Sequence, residues 1–141
     1  MTVKEEHSIA AIVYSNNEYL LLKYGLGHWE FVKGHKEANE TDEETILREL
    51  KEETSITDAE IIKGFKEKYE YNFTFRNQKI HKLVSCYLIK SNTKKVKLSY
   101  EHDDFKWLPF HKAIKQLTFN NSKKLLKKAE TFRTSSLSSF I

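Results

Sequence analysis

Glu49, Glu52 and Glu53 stand at i, i+3 and i+4, a spacing that gathers three carboxylates on one side of a helix. From Asp42 to Glu53 there are six acids (Asp42, Glu43, Glu44, Glu49, Glu52, Glu53) and two bases (Arg48, Lys51), a local charge of −4 in a chain whose total is +4. The acids at the start of such a helix are favoured by its dipole, but Glu52 and Glu53 fall in the last turn, where negative charge is opposed by roughly 0.3–1 kcal/mol each. Helix propensity and solubility do not account for that placement. A hard divalent cation does, because Mg²⁺ or Mn²⁺ prefers oxygen ligands and turns the repulsion between neighbouring carboxylates into coordination. A merely solvated acidic helix would look the same on this face alone, so the surroundings must decide between the two.

The helix that carries these acids is predicted over Asp42–Thr54: Thr41 followed by Glu44 forms a capping box, and Ile46, Leu47, Leu50 and Thr54 recur at helical spacing. Before it, Ser8–Tyr14 and Tyr19–Tyr24 read as a β-hairpin across the polar turn Ser15–Glu18, ended by Gly25 and Gly27. After it, Phe65, Tyr69, Tyr71, Phe73 and Phe75 alternate with polar residues, a period of two that predicts a half-buried strand over Phe65–Phe75. Arg76–Lys79 then turns into a strand over His81–Lys90, and shorter strands are expected at Lys94–Leu98 and Phe105–Leu108. Pro109 can open a helix at its first position, with Ala113, Ile114 and Leu117 inward. Asn120-Asn121 interrupts, Ser122 can cap a last helix carrying Leu125, Leu126 and Ala129, and Thr134–Ser139 reads as a frayed tail. With no repeat and no linker, residues 1–141 are expected to form a single domain.

Composition sets the limits. A chain of 141 residues has room for one core, and 39% apolar residues with nine Phe, seven Tyr and two Trp exclude a disordered polymer. No apolar stretch approaches the roughly 20 residues of a membrane span, and the first residues lack a signal-peptide pattern, so a cytoplasmic protein without membrane contact is expected. Cys86, the single cysteine, sits in an apolar run and reads as a core filler. A pI near 9.0 suits a polyanionic ligand, although Lys123, Lys124, Lys127 and Lys128 are spaced for the wet face of the terminal helix. Trp29, Phe73 and Phe75 read as core residues.

Beyond the acidic face, Gly34, Glu40, Arg48-Glu49-Leu50, Glu52-Glu53 and Ile56 fall in the spacing G-x5-E-x7-R-E-U-x-E-E-x-G-U, where U is apolar. This resembles the signature of the Nudix hydrolases. One position departs, Ser55 standing for glycine, and Glu37-Ala38-Asn39-Glu40 resembles the family's E-P-G-E with Asn39 in the glycine position. Both read as conformational substitutions at positive φ. The run Gly27-His28-Trp29-Glu30-Phe31-Val32-Lys33-Gly34-His35 is similar to the G-H-W-x-x-P-K-G-H of the asymmetric diadenosine tetraphosphate hydrolases, with Val32 for proline. Ile62–Lys66, Leu98–His102 and Phe105–Leu108 resemble the same group in the same order.

The resemblance implies a mixed β-sheet in an α/β/α sandwich, of the α+β type, and Mg²⁺-dependent attack of water on a polyphosphate, taking diadenosine tetraphosphate to ATP and AMP. It implies Glu49, Glu52, Glu53 and Glu101 as metal ligands, Mn²⁺ being a possible substitute. Glu53 or Glu49 would also be the base, with Glu101 the rival, and Arg48 would hold the glutamates by ion pairing. Substrate contacts are expected from His28, Lys33, Gly34, His35 and Lys82, and base stacking from Tyr87 or Tyr69. The expected partner is a nucleotide with a polyphosphate chain, met by a monomer. An RNA 5′ end is the alternative, favoured by the basic pI, and a non-catalytic nucleotide-binding module, suggested by Ser55, Asn39 and Val32, is the reading from another class.

Overall fold

The run of small and β-branched residues from Ser8 to Val13 builds the strand around which everything else is arranged. In the computed structural model, which describes residues 2–138, β1 (Lys4–Ser15) is flanked by parallel β6 (Gln78–Ser91) on one side and by antiparallel β4 (Val32–His35) on the other. β2 (Glu18–Tyr24) meets β1 only at Tyr14↔Tyr19 and Ser15↔Glu18, then splays away to pair with β3 (Trp29–Glu30) and β7 (His102–Pro109). β5 (Ala59–Phe75) completes the seven-stranded mixed sheet as the antiparallel neighbour of β6. Among the described residues no helix is long and apolar enough to cross a membrane.

Between Ser8 and Val13 both faces of β1 are buried, so Ile9–Val13 are apolar without alternation. Ile9, Ala11 and Val13 pack with Ile46 and Leu50 of α1 (Asp42–Thr54) on one face. Ala10 and Ile12 pack on the other against α2 (Phe110–Gln116) and α3 (Asn120–Ser138) through Ala113, Leu117, Leu125, Leu126 and Ala129. The result is the expected α/β/α sandwich. Cys86 lies fully buried in the second layer, whereas Lys124, Lys127 and Lys128 are exposed.

α1 starts where its capping box dictates, with the Glu44 N–H donating to Thr41 Oγ1 at 3.1 Å and the Thr41 N–H to Glu44 Oε1 at 2.9 Å. Leu47, one of the residues that recur at helical spacing, is 41% exposed, because it lies beyond the Ile46–Leu50 stripe that faces the sheet. The two substituted glycine positions take the backbone a glycine would: Asn39 at φ +70° and Ser55 at φ +65°. Val32, in place of proline, is buried in β4 opposite Ala11.

Five local expectations differ from the structure. Residues 94–98 form no strand, because the segment's N–H groups are used on the end of α1: Lys97 donates to the Thr54 carbonyl at 2.9 Å and Ser99 to the Glu53 carbonyl at 3.1 Å. Pro109 is the residue before α2, its N-cap, rather than the first helical residue. α3 begins at Asn120 instead of Ser122, whose hydroxyl is used elsewhere. Residues 134–138 continue α3, since no Pro or Gly stops the helix and Thr134 Oγ1 donates to the Glu130 carbonyl; Ser139 lies outside the described residues. Phe75, at the tip of the β5–β6 hairpin, is 57% exposed rather than core, because the hairpin runs past the helices that would cover it. Gly64, at φ +95°, sits where pairing between Ile61 and Lys66 is interrupted, and a side chain there would press on the Phe132 ring.

A non-glycine residue at positive φ costs roughly 1 kcal/mol. Ser55→Gly is therefore expected to raise the unfolding free energy by up to about 1 kcal/mol, read as a higher urea midpoint at unchanged m-value. A lowered midpoint would mean that the Ser55 Oγ bond to the Lys97 carbonyl, 3.2 Å, outweighs the backbone term.

Candidate active site

The last two turns of α1 pass directly over β4, and the close approach is possible because residue 34 has no side chain. A Cβ on Gly34 would lie 2.0 Å from Glu49 Cδ, so the Glu49 carboxyl rests on bare strand backbone. Arg48 organises the acids around it. Its Nε and Nη2 bind Glu40 Oε2 and Oε1 at 2.7 and 3.0 Å, a fork-to-fork pair, while Nη1 reaches Glu49 Oε1 at 2.9 Å and Glu52 Oε2 at 3.2 Å. Nη2 also donates to the His35 carbonyl at 3.2 Å. One guanidinium thus locks α1 to both β4 and the loop before the helix. Glu40, which also accepts from the Thr45 hydroxyl and the Glu37 N–H, is held down to about 2 by Arg48.

Glu53 is 4% exposed, and its Oε1 meets His102 Nε2 at 2.7 Å. Its other oxygen, Oε2, is buried and makes no hydrogen bond. His102 reaches Glu53 because the segment crossing the end of α1 places it there, and the Tyr24 ring meets it edge-on at 4.5 Å. Burial pushes the Glu53 carboxyl upward against the pull of His102. Burial, reinforced by Glu53, raises Glu49 to about 7 against the pull of Arg48. A buried and a half-buried carboxyl side by side cannot both carry charge comfortably without a further cation.

These groups line a cleft of about 480 Å³, closed on the far side by Ser99, Tyr100 and Glu101. Lys33, Gly34 and His35 line it as well. Lys33 also borders a second hollow, of about 330 Å³, walled by Tyr69, Tyr71 and Phe119 with Glu30 and Asn121. Tyr69 and Tyr71 present near-parallel rings 6.1 Å apart. His28 stacks on Tyr24 at 4.9 Å and touches Phe119. Lys82 is the cross-strand partner of Tyr71; burial and the nearby Lys33 push its ammonium downward, while Glu6 lies 4.0 Å away.

Of the residues expected at the site, the structure gathers Arg48, Glu49, Glu52, Glu53, Glu101, Lys33, Gly34 and His35 at the carboxylate cleft and Tyr69 at the adjoining hollow. It does not bring Tyr87 there. Tyr87 lies on the α1 face of the sheet, its hydroxyl donating to Asp42 Oδ2 at 2.5 Å; the one-residue alternation of β6 turns it away from the hollow. Sequence reasoning assigned no role to His102, Tyr71, Phe119 or Glu30. His102 pairs with an acid 49 positions away, and no local pattern signals such a pair.

A family model described as the NUDIX domain matches residues 5–129, and the chain belongs to the Nudix family as a Nudix hydrolase. It is 32% identical over 136 residues to the asymmetrical bis(5′-nucleosyl)-tetraphosphatase of Mus musculus, covering 94% of this chain and 91% of that protein. It is 30% identical over 131 residues to the RNA pyrophosphohydrolase of Nitratiruptor, covering 79% and 83%. A crystal structure of a C. elegans Ap4A hydrolase binary complex matches with a TM-score of 0.81 at 29% identity, covering 92% of this chain and 98% of that one.

The bare backbone under Glu49 generates a test. Gly34→Ala must displace either the carboxyl or the strand, and a displacement of about 1 Å at a reacting centre costs on the order of 100-fold in rate. Nucleotide turnover is expected to fall by about that factor with the circular dichroism spectrum retained. Full activity in the variant would show that Glu49 works equally well away from β4.

Proposed function

We propose that the chain hydrolyses a phosphoanhydride bond of dinucleoside polyphosphates, taking diadenosine tetraphosphate to ATP and AMP with Mg²⁺, or Mn²⁺ in its place. The observation that carries this reading is the junction at Lys33, where a carboxylate cleft opens into an aromatic hollow. A polyphosphate lying in the cleft would place its nucleoside in the hollow, with Lys33 and Lys82 beside the bridge. The similarity to bis(5′-nucleosyl)-tetraphosphatases over nearly the whole chain supports it.

The donor set fits a hard cation. Glu53 Oε2 is a buried oxygen with no hydrogen bond, Glu49 is pushed to about 7 by burial and by Glu53, and an oxygen-only set of carboxylates is what Mg²⁺ prefers. Glu49, Glu52, Glu53 and Glu101 would hold it, and it would neutralise the phosphate chain and the leaving oxygen. Among the described residues no three acidic or imidazole side chains converge as a ready cage. Glu49 and Glu52 share Arg48 Nη1 instead, so loading exchanges guanidinium contacts for metal contacts. Arg48 is then a positioning residue through its pair with Glu40. Glu53, oriented by His102, or Glu49 takes the proton of the attacking water, with Glu101 on the covering segment as the rival. All these residues come from one chain, so a monomer suffices.

A second reading, hydrolysis at a triphosphorylated RNA 5′ end, is favoured by the similarity to an RNA pyrophosphohydrolase and by the net charge of +4. Incubation with Mg²⁺ and diadenosine tetraphosphate is expected to yield ATP and AMP in equal amounts by chromatography. Two ADP, or turnover confined to triphosphorylated RNA assayed in parallel, would overturn the first reading. Glu53→Gln is expected to lower kcat by about 10²–10⁴, and an unchanged kcat would remove Glu53 from the reaction.

Metal binding has a readout apart from activity. Glu49 is raised from 4.5 to about 7 in the fold, so between those values the folded protein holds more of its proton than the unfolded chain does. Its contribution to stability therefore falls as pH rises through that window. Millimolar Mg²⁺ binds the ionised form, and its increase in Tm is expected to be larger above about pH 7 than near about pH 5. An equal shift at both values would place the metal elsewhere.

A further inference from the structure

Glu30, at the end of β3, is 5% exposed, and among the described residues no lysine, arginine or histidine forms an ion pair with it. Its carboxylate accepts from the Phe31 N–H at 3.1 Å and from Ser122 Oγ, which lies 2.7 Å from one oxygen and 2.8 Å from the other. The hydroxyl has a single proton, so it satisfies one oxygen at a time. An ionised carboxylate offers about four acceptor sites, which leaves about two open on a buried anion. Burying such a charge with no countercharge beside it is unfavourable.

The start of α3 offsets part of that cost, since Ser122 lies in its first turn and the helix dipole favours an anion there. That contact explains how α3 docks on β3. It does not explain why the docking residue is an acid with spare acceptors facing a cavity, when a neutral side chain would hold the serine without desolvating a charge. The cavity is the aromatic hollow, and its walls are Tyr69, Tyr71 and Phe119. Both tyrosine hydroxyls are pushed upward by burial first and by the charge of Glu30 second, so the acid and the rings share one space.

We propose that Glu30 makes this hollow selective for guanine, its carboxylate accepting the N1–H and N2–H of the base while the aromatic side chains stack on its face. Guanine presents these two donors side by side, and two oxygens of one carboxylate match them as a two-bond pair. Adenine puts the lone pair of N1 beside its amino group, so one oxygen would gain a hydrogen bond and the other would face a lone pair. Uracil and hypoxanthine each bring a single N–H on that edge. A buried polar group left unpaired by the wrong ligand is a strong discriminator. The selection rests on the reading that a nucleoside polyphosphate is the substrate, and it names the base that subsite prefers; diadenosine tetraphosphate remains a substrate, and its guanine counterpart is the better one.

The test compares kcat/KM for diguanosine and diadenosine tetraphosphate in the same preparation with Mg²⁺. The wild-type protein is expected to favour the guanine compound by about tenfold or more, the hypoxanthine analogue falling between. In Glu30→Gln, whose amide replaces one acceptor by a donor, the ratio is expected to collapse toward one. Thermal unfolding of the variant runs beside the assay, because loss of the α3 anchor alone would lower Tm and both activities without moving their ratio. Equal wild-type efficiencies, or a ratio unmoved by Glu30→Gln, would overturn the proposal. If neither dinucleotide is cut, the proposed reaction fails, and calorimetry with GMP and AMP on the wild-type protein then decides the base preference by itself: tighter GMP supports it, equal or tighter AMP ends it.

Discussion

Carboxylates at the end of a helix repel one another, and in this protein Glu49 and Glu53 are drawn partly or wholly out of the water that would relieve the repulsion, while Glu52 stays exposed. Glu53 is buried, Glu49 is pressed onto a strand with no side chain beneath it, and Glu52 shares with Glu49 the same nitrogen of Arg48. Bringing the acids this close demands a rigid backbone. α1 is fixed at its start by a capping box, along its length by Ile46 and Leu50 against the sheet, and at its end by Ser99 and Lys97, whose N–H groups take up its last carbonyls. Each of these contacts costs the chain conformational freedom, and each is needed to hold a charge arrangement that a freer helix would relax.

Arg48 answers the repulsion only in part. Its strongest geometry is the two-bond pair with Glu40, outside the cleft, and its reach to Glu49 and Glu52 is made with a single nitrogen. Glu53 is left to His102, which satisfies one of its oxygens. The site is therefore electrostatically incomplete: Glu53 keeps a buried oxygen without a hydrogen bond, and Glu53 lines the cleft in which a cation and a polyphosphate would meet. Among the positive side chains, Lys33 borders both the cleft and the aromatic hollow, and Lys82 lies across the strand pair from Tyr71, a wall of that hollow.

The covering segment shows how one stretch of irregular chain performs several tasks. Residues 97–102 cap α1, deliver His102 to Glu53, and set Tyr100 and Glu101 over the cleft. A regular strand there would have used its backbone groups on a neighbouring strand and left the helix carbonyls without partners. The two residues at positive φ in glycine positions, Asn39 and Ser55, bracket the same helix. They keep the geometry at a modest energetic cost, which fits a site whose acids are all in place.

Local pattern was enough to read α1, its caps, its acidic face, the hairpin strands and the alternating aromatic strand, because each is encoded in neighbours within a turn or a pleat of one another. Helical spacing grouped Glu49, Glu52 and Glu53 for the same reason, whereas Glu40 and the role of Arg48 came from the resemblance to the Nudix signature. What lay beyond local reading was every feature that depends on distant segments meeting. His102 finds Glu53 and Ser122 finds Glu30 only after β7 and α3 have docked; 94–98 gives up a strand because the end of α1 needs its N–H groups; Tyr87 faces α1 because the register of β6 against β1 assigns it that side. Sequence alone thus determined which chemistry the chain could carry. Tertiary packing decided which groups stand together to perform it, since burial and hydrogen bonding are properties of the assembled neighbourhood and not of the residue.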